Sequence, residues 1–180
     1  MRQPRVSTAD RRRAEFERFV AESTDPLLRA AYLVVGDLVE AEDLVQECLI
    51  KVAKRWPRVR SMDHPRAYAR RVLINLALDR SGRRVRDRGQ LELPDALNNG
   101  HDEDSARELA AVDSRSELEH ALATLPPRQR AVLVLRYFED LSEADTAAAL
   151  QCSIGTVKST ASRALTRLQS TLAAPITKEP

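Results

Sequence analysis

Aromatic residues make up only 4% of the 180-residue chain, and glycine occurs five times. So little of either argues against an all-β fold, which draws on aromatic strands and many glycine turns. Hydrophobic residues still amount to 43%, so the core must be built from Leu, Val, Ile and Ala, a palette that favours helices. There are two cysteines, Cys48 and Cys152, and three histidines, His64, His101 and His120. They are scattered, whereas a disulfide framework or a zinc site needs several ligands at close spacing. No metal or other cofactor is expected, and both cysteines read as small buried hydrophobes. Nor is there a His, Cys or carboxylate cluster at catalytic spacing, so an enzyme is not expected. No apolar run approaches the roughly 20 residues that span a bilayer, and Arg11-Arg12-Arg13 is not followed by the apolar stretch of a secretory signal. The expectation is no membrane insertion and a reducing, cytoplasmic setting.

The formal net charge is only +2, but its distribution is uneven. Residues 1–90 carry 20 Lys and Arg against 13 Asp and Glu, residues 91–120 carry 2 against 9, and residues 121–180 carry 7 against 5. A basic front suits a polyanion, because Lys and Arg displace counterions condensed on phosphates. The acidic middle reads as a connector between two modules.

Apolar spacing gives an all-α fold of two small helical domains joined by a flexible acidic linker. Residues 1–12 are expected to be disordered. A front domain over residues 13–88 begins with a short helix carrying Ala14, Phe16, Phe19 and Val20. Asp25 and Pro26 read as the N-cap and first-turn proline of a second helix, which Gly36 ends. A third helix covers residues 37–54, with Leu38, Ala41, Leu44, Val45, Cys48, Leu49 and Val52 at spacings of three and four, and Pro57 stops it. After a loop at residues 59–64, Pro65 opens a helix expected over residues 66–80. Gly82 ends it beside Arg83, Arg84, Arg86 and Arg88. Residues 89–113, with Pro94, Asn98-Asn99-Gly100 and Asp102-Glu103-Asp104, form the linker. The rear domain spans residues 114–173, and residues 174–180 are a tail with no further domain expected.

The rear domain carries the most specific pattern. Ser142 is a good N-cap, with Asp145 three residues on as in a capping box. A short helix with Ala147, Ala148 and Ala149 follows, then the tight turn Gln151-Cys152-Ser153. Ser153 caps a second helix whose expected buried stripe is Val157, Ala161, Ala164, Leu165, Leu168 and Leu172. The opposite side presents Thr156, Lys158, Ser159, Ser162, Arg163 and Arg167. This is a helix-turn-helix, whose second helix enters the major groove and bonds phosphates and base edges. Gly155-Thr156-Val157-Lys158-Ser159 lacks the glycine spacing and preceding strand of a phosphate loop.

Asp140-Leu141-Ser142, Ile154-Gly155-Thr156-Val157-Lys158-Ser159 and Leu125-Pro126-Pro127-Arg128-Gln129-Arg130 resemble region 4 of extracytoplasmic-function (ECF) sigma factors. Independently, Ala41-Glu42-Asp43-Leu44-Val45-Gln46-Glu47 is similar to their region 2 core-binding motif. Pro65-Arg66-Ala67-Tyr68 through Asn75-Leu76-Ala77-Leu78-Asp79 resembles the helix that engages the −10 element. The details are most similar to actinobacterial members. The resemblance implies a factor that binds core RNA polymerase (its β′ and β subunits) and promoter DNA, with an anti-sigma protein as a further possible partner. Core binding falls to Glu42, Asp43, Leu44, Gln46 and Glu47. The −10 element falls to Arg60, Ser61, Asp63 and His64 of the loop, with Arg70, Arg71, Asn75, Arg80, Arg83 and Arg84. The −35 element falls to Arg128, Thr156, Lys158, Ser159, Thr160, Ser162, Arg163 and Arg167. The resemblance also implies that the linker threads the polymerase cleft, with Asp95, Asp102, Glu103 and Asp104 resembling RNA phosphates. Thr160 and Ser162 depart from the arginine and the larger residue common in relatives, which leaves the −35 sequence unassigned. The alternatives are a stand-alone helix-turn-helix regulator binding two-fold sites as a dimer, and an enzyme with an accessory DNA module.

Overall fold

The computed structural model describes residues 7–89 and 115–173. Residues 1–6 and 174–180, and all of the expected linker beyond Gly89, lie outside the described residues. Those described form eight α-helices and one π-helical turn. In order they are α1 (Thr8–Val35), α2 (Leu38–Lys54), α3 (Trp56–Val59), α4 (Pro65–Gly89), α5 (Arg115–Ala123), α6 (Pro127–Leu133), the π turn (Val134–Phe138), α7 (Glu143–Leu150) and α8 (Ile154–Ala173).

Two expected breaks are absent. Residues 8–12 are helical rather than disordered, with the Ser7 hydroxyl accepting the Ala9 N–H at 3.2 Å. The helix then runs through Pro26 without a stop, so Asp25 is not an N-cap. An interior proline costs about 3 kcal/mol. Against this, Phe19, Ser23, Leu27, Ala30, Ala31 and Val34 form one buried stripe across it. Each large apolar side chain in such a stripe contributes about 1.5–3 kcal/mol, so burial outweighs the local breaker. Gly36 does end α1: it sits at φ 81°, where a side chain would be strained, and its N–H reaches the Tyr32 carbonyl at 2.7 Å.

The second missing break is at Gly82. Helix α4 continues to Gly89. The Arg80–Glu47 and Arg84–Glu40 ion pairs fasten α4 to α2 on both sides of Gly82, and a helical glycine costs only about 1 kcal/mol relative to alanine. Helix α2 begins and ends as its pattern predicts: the Asp37 carboxylate accepts the Glu40 N–H at 2.6 Å, and Lys51 and Lys54 occupy the last turn. Pro57 lies in the short α3, whose Trp56 packs edge-on to Phe16 at 5.2 Å and against Phe19 at 5.0 Å. Cys48 is buried and donates to the Ala69 carbonyl, and burial pushes its thiol up to about 12.

The two domains do not stand apart. Leu44, Val52, Val59, Leu73 and Ile74 of the front and Val132, Val134, Leu135 and Val157 of the rear belong to one continuous core. A smaller rear core of Leu122, Leu125, Leu133 and Ala164 is sealed partly by Leu33 of α1. Helix α1 packs on α6, and α4 on α7.

Candidate polymerase and nucleic-acid interfaces

Helix α2 buries Ala41, Leu44, Val45, Cys48 and Val52, and so turns Glu42, Asp43 and Gln46 to solvent. Leu44, expected in the polymerase-binding set, is fully buried and belongs to the core alone. Glu47 is half-buried and paired with Lys51 at 3.0 Å and Arg80 at 3.2 Å. The hydrogen bond from Lys51 leads in holding its carboxyl below the usual range. Sequence reasoning passed over Val39 and Ile50. They are 70% and 55% exposed, and spacings of four, three and four place Val39, Asp43, Gln46 and Ile50 along one stripe. The signal was present: both are apolar residues outside the core spacing.

The loop at residues 59–64 borders a groove of about 1420 Å³. Asp63 and His64 line it together with Lys54, Arg55, Arg58, Arg66, Arg70 and Arg71. Its far wall is Leu141, Asp145 and Ala148 of the rear domain. Six expected residues stand elsewhere. Arg60 turns to Glu15 at 2.7 Å, the Ser61 hydroxyl donates to the Arg58 carbonyl at 2.8 Å, and Asn75, half-buried one turn beyond Arg71, does not line the groove. Arg80 and Arg84 are held by Glu47 and Glu40 of α2, while Arg83 is exposed. Lys54, Arg55, Arg58 and Tyr68 are groove residues that sequence reasoning missed. Arg55 donates to the Tyr68 hydroxyl at 3.1 Å, a pairing between α2 and α4 that linear spacing does not reveal.

In the rear domain the Ser142 hydroxyl accepts the Asp145 N–H at 3.0 Å and donates to the Asp145 carboxylate at 2.6 Å. This caps α7 as predicted, with Asp145 bonding the cap's hydroxyl. Gln151 takes a left-handed conformation (φ 52°) to turn the chain. The Ser153 hydroxyl accepts the Thr156 N–H at 3.1 Å and so caps α8. Helix α8 exposes Lys158, Ser159, Ser162, Arg163 and Arg167, and Arg128 is exposed near the start of α6. Thr160 does not belong to that face: it is 6% exposed, aligned with Val157 and Ala164 in the buried stripe. The Thr156 hydroxyl is engaged with Ser153 at 2.9 Å. Leu172, expected in the stripe, is 49% exposed. Arg163 donates to the Ser159 carbonyl, and Lys158 lies 3.4 Å from Glu143, leaving a mildly tethered basic face of a size to enter a major groove.

Comparison with known proteins matches the two halves separately and in order. Residues 19–88 match Sigma-70 region 2, and residues 115–168 match Sigma-70, region 4. The RNA polymerase sigma-E factor of Streptomyces avermitilis is 40% identical over 159 residues, covering 88% of this chain and 85% of that protein. The ECF RNA polymerase sigma factor SigE of Mycolicibacterium smegmatis is 34% identical over 160 residues, covering 88% of this chain and 62% of that protein. Among solved structures, the sigma factor RpoE of Bartonella quintana, in complex with the anti-sigma factor NepR, superposes with a TM-score of 0.66 at 26% identity. The match covers 89% of this chain and 98% of that one. The chain belongs to the sigma-70 family, as an extracytoplasmic-function sigma factor of the actinobacterial kind, an alternative factor for transcription initiation.

Proposed function

We propose that the chain binds core RNA polymerase through the exposed face of α2, recognises the −10 element with the basic groove and the −35 element with α8, and so directs initiation in the cytoplasm. The polymerase supplies the chemistry; the chain supplies promoter choice and has no catalytic site of its own. The observation that carries the reading is the presence of both sigma-70 regions in one chain, each presenting a charged exposed face. Glu42, Asp43 and Gln46 suit a basic partner helix, with Val39 and Ile50 adding apolar contact at the ends of the stripe. On α8, Ser159, Ser162, Arg163 and Arg167 suit phosphates and guanine edges. In the groove, Lys54, Arg58 and Arg71 hold a strand's backbone while Tyr68 offers a ring for a base. The neighbouring Bartonella factor was solved bound to an anti-sigma factor, and an anti-sigma protein is a partner we extend to this chain.

Mixing the purified chain with core polymerase and transcribing a genomic promoter library tests the reading. Promoter-dependent transcripts and co-elution with core are expected. A chain that binds a two-fold DNA site as a dimer, without core, would instead be a stand-alone regulator.

A further inference from the structure

Helix α1 carries Pro26 in its interior and a buried hydroxyl, Ser23, one turn earlier. Proline has no N–H, so the Glu22 carbonyl loses the donor that the helical ladder would give it. Ser23 is 3% exposed, and its Oγ is shut off from solvent with no hydrogen-bond partner among the described residues. A buried hydroxyl is ordinarily paired. In a helix it commonly turns back to the carbonyl four residues earlier, as Thr24 does to Val20 at 2.8 Å. Ser23 does not, although it lies beside the broken ladder.

Ser23 and Pro26 both border a small cavity. Its volume is about 60 Å³, and Ala30 of α1, Arg66 and Arg70 of α4 and Glu139 also line it. The charges around it are balanced: Arg66 pairs with Glu22 at 2.9 Å, and Arg70 with Glu139 at 2.5 Å. An oxyanion would find no uncompensated cation there and would face the Glu139 carboxylate. A cation would face two guanidinium groups. An apolar molecule would leave the Ser23 hydroxyl unpaired. What suits the lining is a small neutral molecule that both donates and accepts hydrogen bonds. Water is the smallest, and at roughly 30 Å³ per molecule in the liquid the volume corresponds to about two.

We propose that this cavity is an ordered-water site, where about two molecules bridge the Ser23 hydroxyl and the Glu22 carbonyl to Glu139 and the guanidinium groups of Arg66 and Arg70. The water supplies the donor that Pro26 lacks, as it does where it enters a helical ladder. The Ser23 hydroxyl donates to one molecule and accepts from another. Arg66 and Arg70 also line the basic groove, so the site lies beneath that surface and solvates both guanidinium groups from inside. The Arg66 side chain is 57% exposed and that of Arg70 21%, so exchange with bulk solvent runs past Arg66. The site is independent of what the groove binds.

The test uses the full chain with isotope-labelled Ala and Leu methyl groups, in mildly acidic buffer where guanidinium protons exchange slowly. Water-selective NOE and ROE spectra are recorded. Cross-peaks from the water resonance to the methyls of Ala30 and Leu27, which both line the cavity, are expected. Their NOE and ROE should have opposite signs, the mark of water held longer than the molecule takes to tumble. Ser23→Ala removes the exchanging hydroxyl and is expected to keep the cross-peaks, because the Glu22 carbonyl and Glu139 still hold water. Ser23→Leu fills the cavity and is expected to abolish them. No long-lived cross-peak in the wild type overturns the site. So does loss of the cross-peaks in Ser23→Ala, which traces them to the hydroxyl proton, and so does their persistence in Ser23→Leu, which puts the water elsewhere. Should Ser23→Leu not fold, the other two spectra decide alone. Inorganic phosphate is added last and is expected to leave the Ala30 methyl unmoved. A saturable shift of that methyl with loss of the water cross-peaks would make this an anion site instead. Neither polymerase nor DNA enters the measurement, so its failure is distinct from failure of the promoter reading.

Discussion

The front and rear surfaces that we propose for DNA are both basic, yet they hold their charge differently. In the front groove Arg66 and Arg70 are paired with Glu22 and Glu139, and outside it Arg60, Arg80 and Arg84 are paired with Glu15, Glu47 and Glu40. On the rear, Arg163 meets only a backbone carbonyl, and the pair between Lys158 and Glu143 is a long one. A cation already paired must exchange partners to bind DNA, whereas an exposed unpaired one releases counterions directly. The cost of exchange is small for the exposed pairs, about 0.2–1 kcal/mol, and larger for Arg70–Glu139, which is mostly shielded from water. Among the described residues, the front surface therefore holds more of its arginines in ion pairs than the rear surface does.

The largest effect that would break this contrast comes from the core beneath the front surface. Leu73→Ala, at a fully buried position of α4, is expected to cost about 2–5 kcal/mol, read as a lower denaturant midpoint. A change within about 0.5 kcal/mol would contradict the continuous core. Next, Asp43→Lys with Gln46→Lys is expected to weaken core polymerase binding about a hundredfold by placing like charges at the interface, with the helical circular-dichroism signal retained. Unchanged core affinity would remove the α2 face from the interface. On the rear surface, Arg163→Ala and Arg167→Ala are each expected to cost about 1–3 kcal/mol in promoter binding by the polymerase complex if they read bases. They should lower the salt slope by about one if they hold phosphates. Unchanged affinity together with an unchanged salt slope would disprove the α8 assignment.

Two smaller effects sharpen the comparison. Arg84→Ala removes a pair whose arginine is 53% exposed, and is expected to shift stability by less than about 1 kcal/mol. The cysteines differ in the same sense as the domains: Cys48 of the front is buried and Cys152 of the rear half-buried. A thiol reagent at pH 8 is expected to modify Cys152 alone, with mass spectrometry locating the adduct. Because the Cys48 thiol is raised from 9.0 to about 12, the unfolded chain loses this proton first. Its contribution to stability is present below pH 9 and is lost as pH rises through 12. Urea titrations above pH 9 should show that decline, and Cys48→Ala should flatten it.

Much of the architecture was legible because its causes are local. The start of α2 at Asp37, the end of α1 at Gly36 and the caps at Ser142 and Ser153 depend on atoms within four residues of one another. The same local reasoning misplaced Asp25-Pro26, where burial along one face of α1 outweighed the breaker, and Gly82, where ion pairs to α2 on both sides outweighed a weak one. It also misplaced Thr160, since a hydroxyl on a 3.6-residue helix is assigned to a face only by knowing where α6 packs.

The sequence by itself determined the helical class, the order of the two regions, the helix-turn-helix and the acidic face of α2, because spacing and capping are short-range. Only the tertiary structure decided which cations are free. The Arg130–Val34 bond spans 96 residues, Arg60–Glu15 spans 45 and Arg80–Glu47 spans 33. No periodicity links such partners. The first pair meets because the rear domain packs on α1, and the other two because α1, α2 and α4 pack on one another within the front domain; that packing, not spacing along the chain, decides which cations stay unpaired.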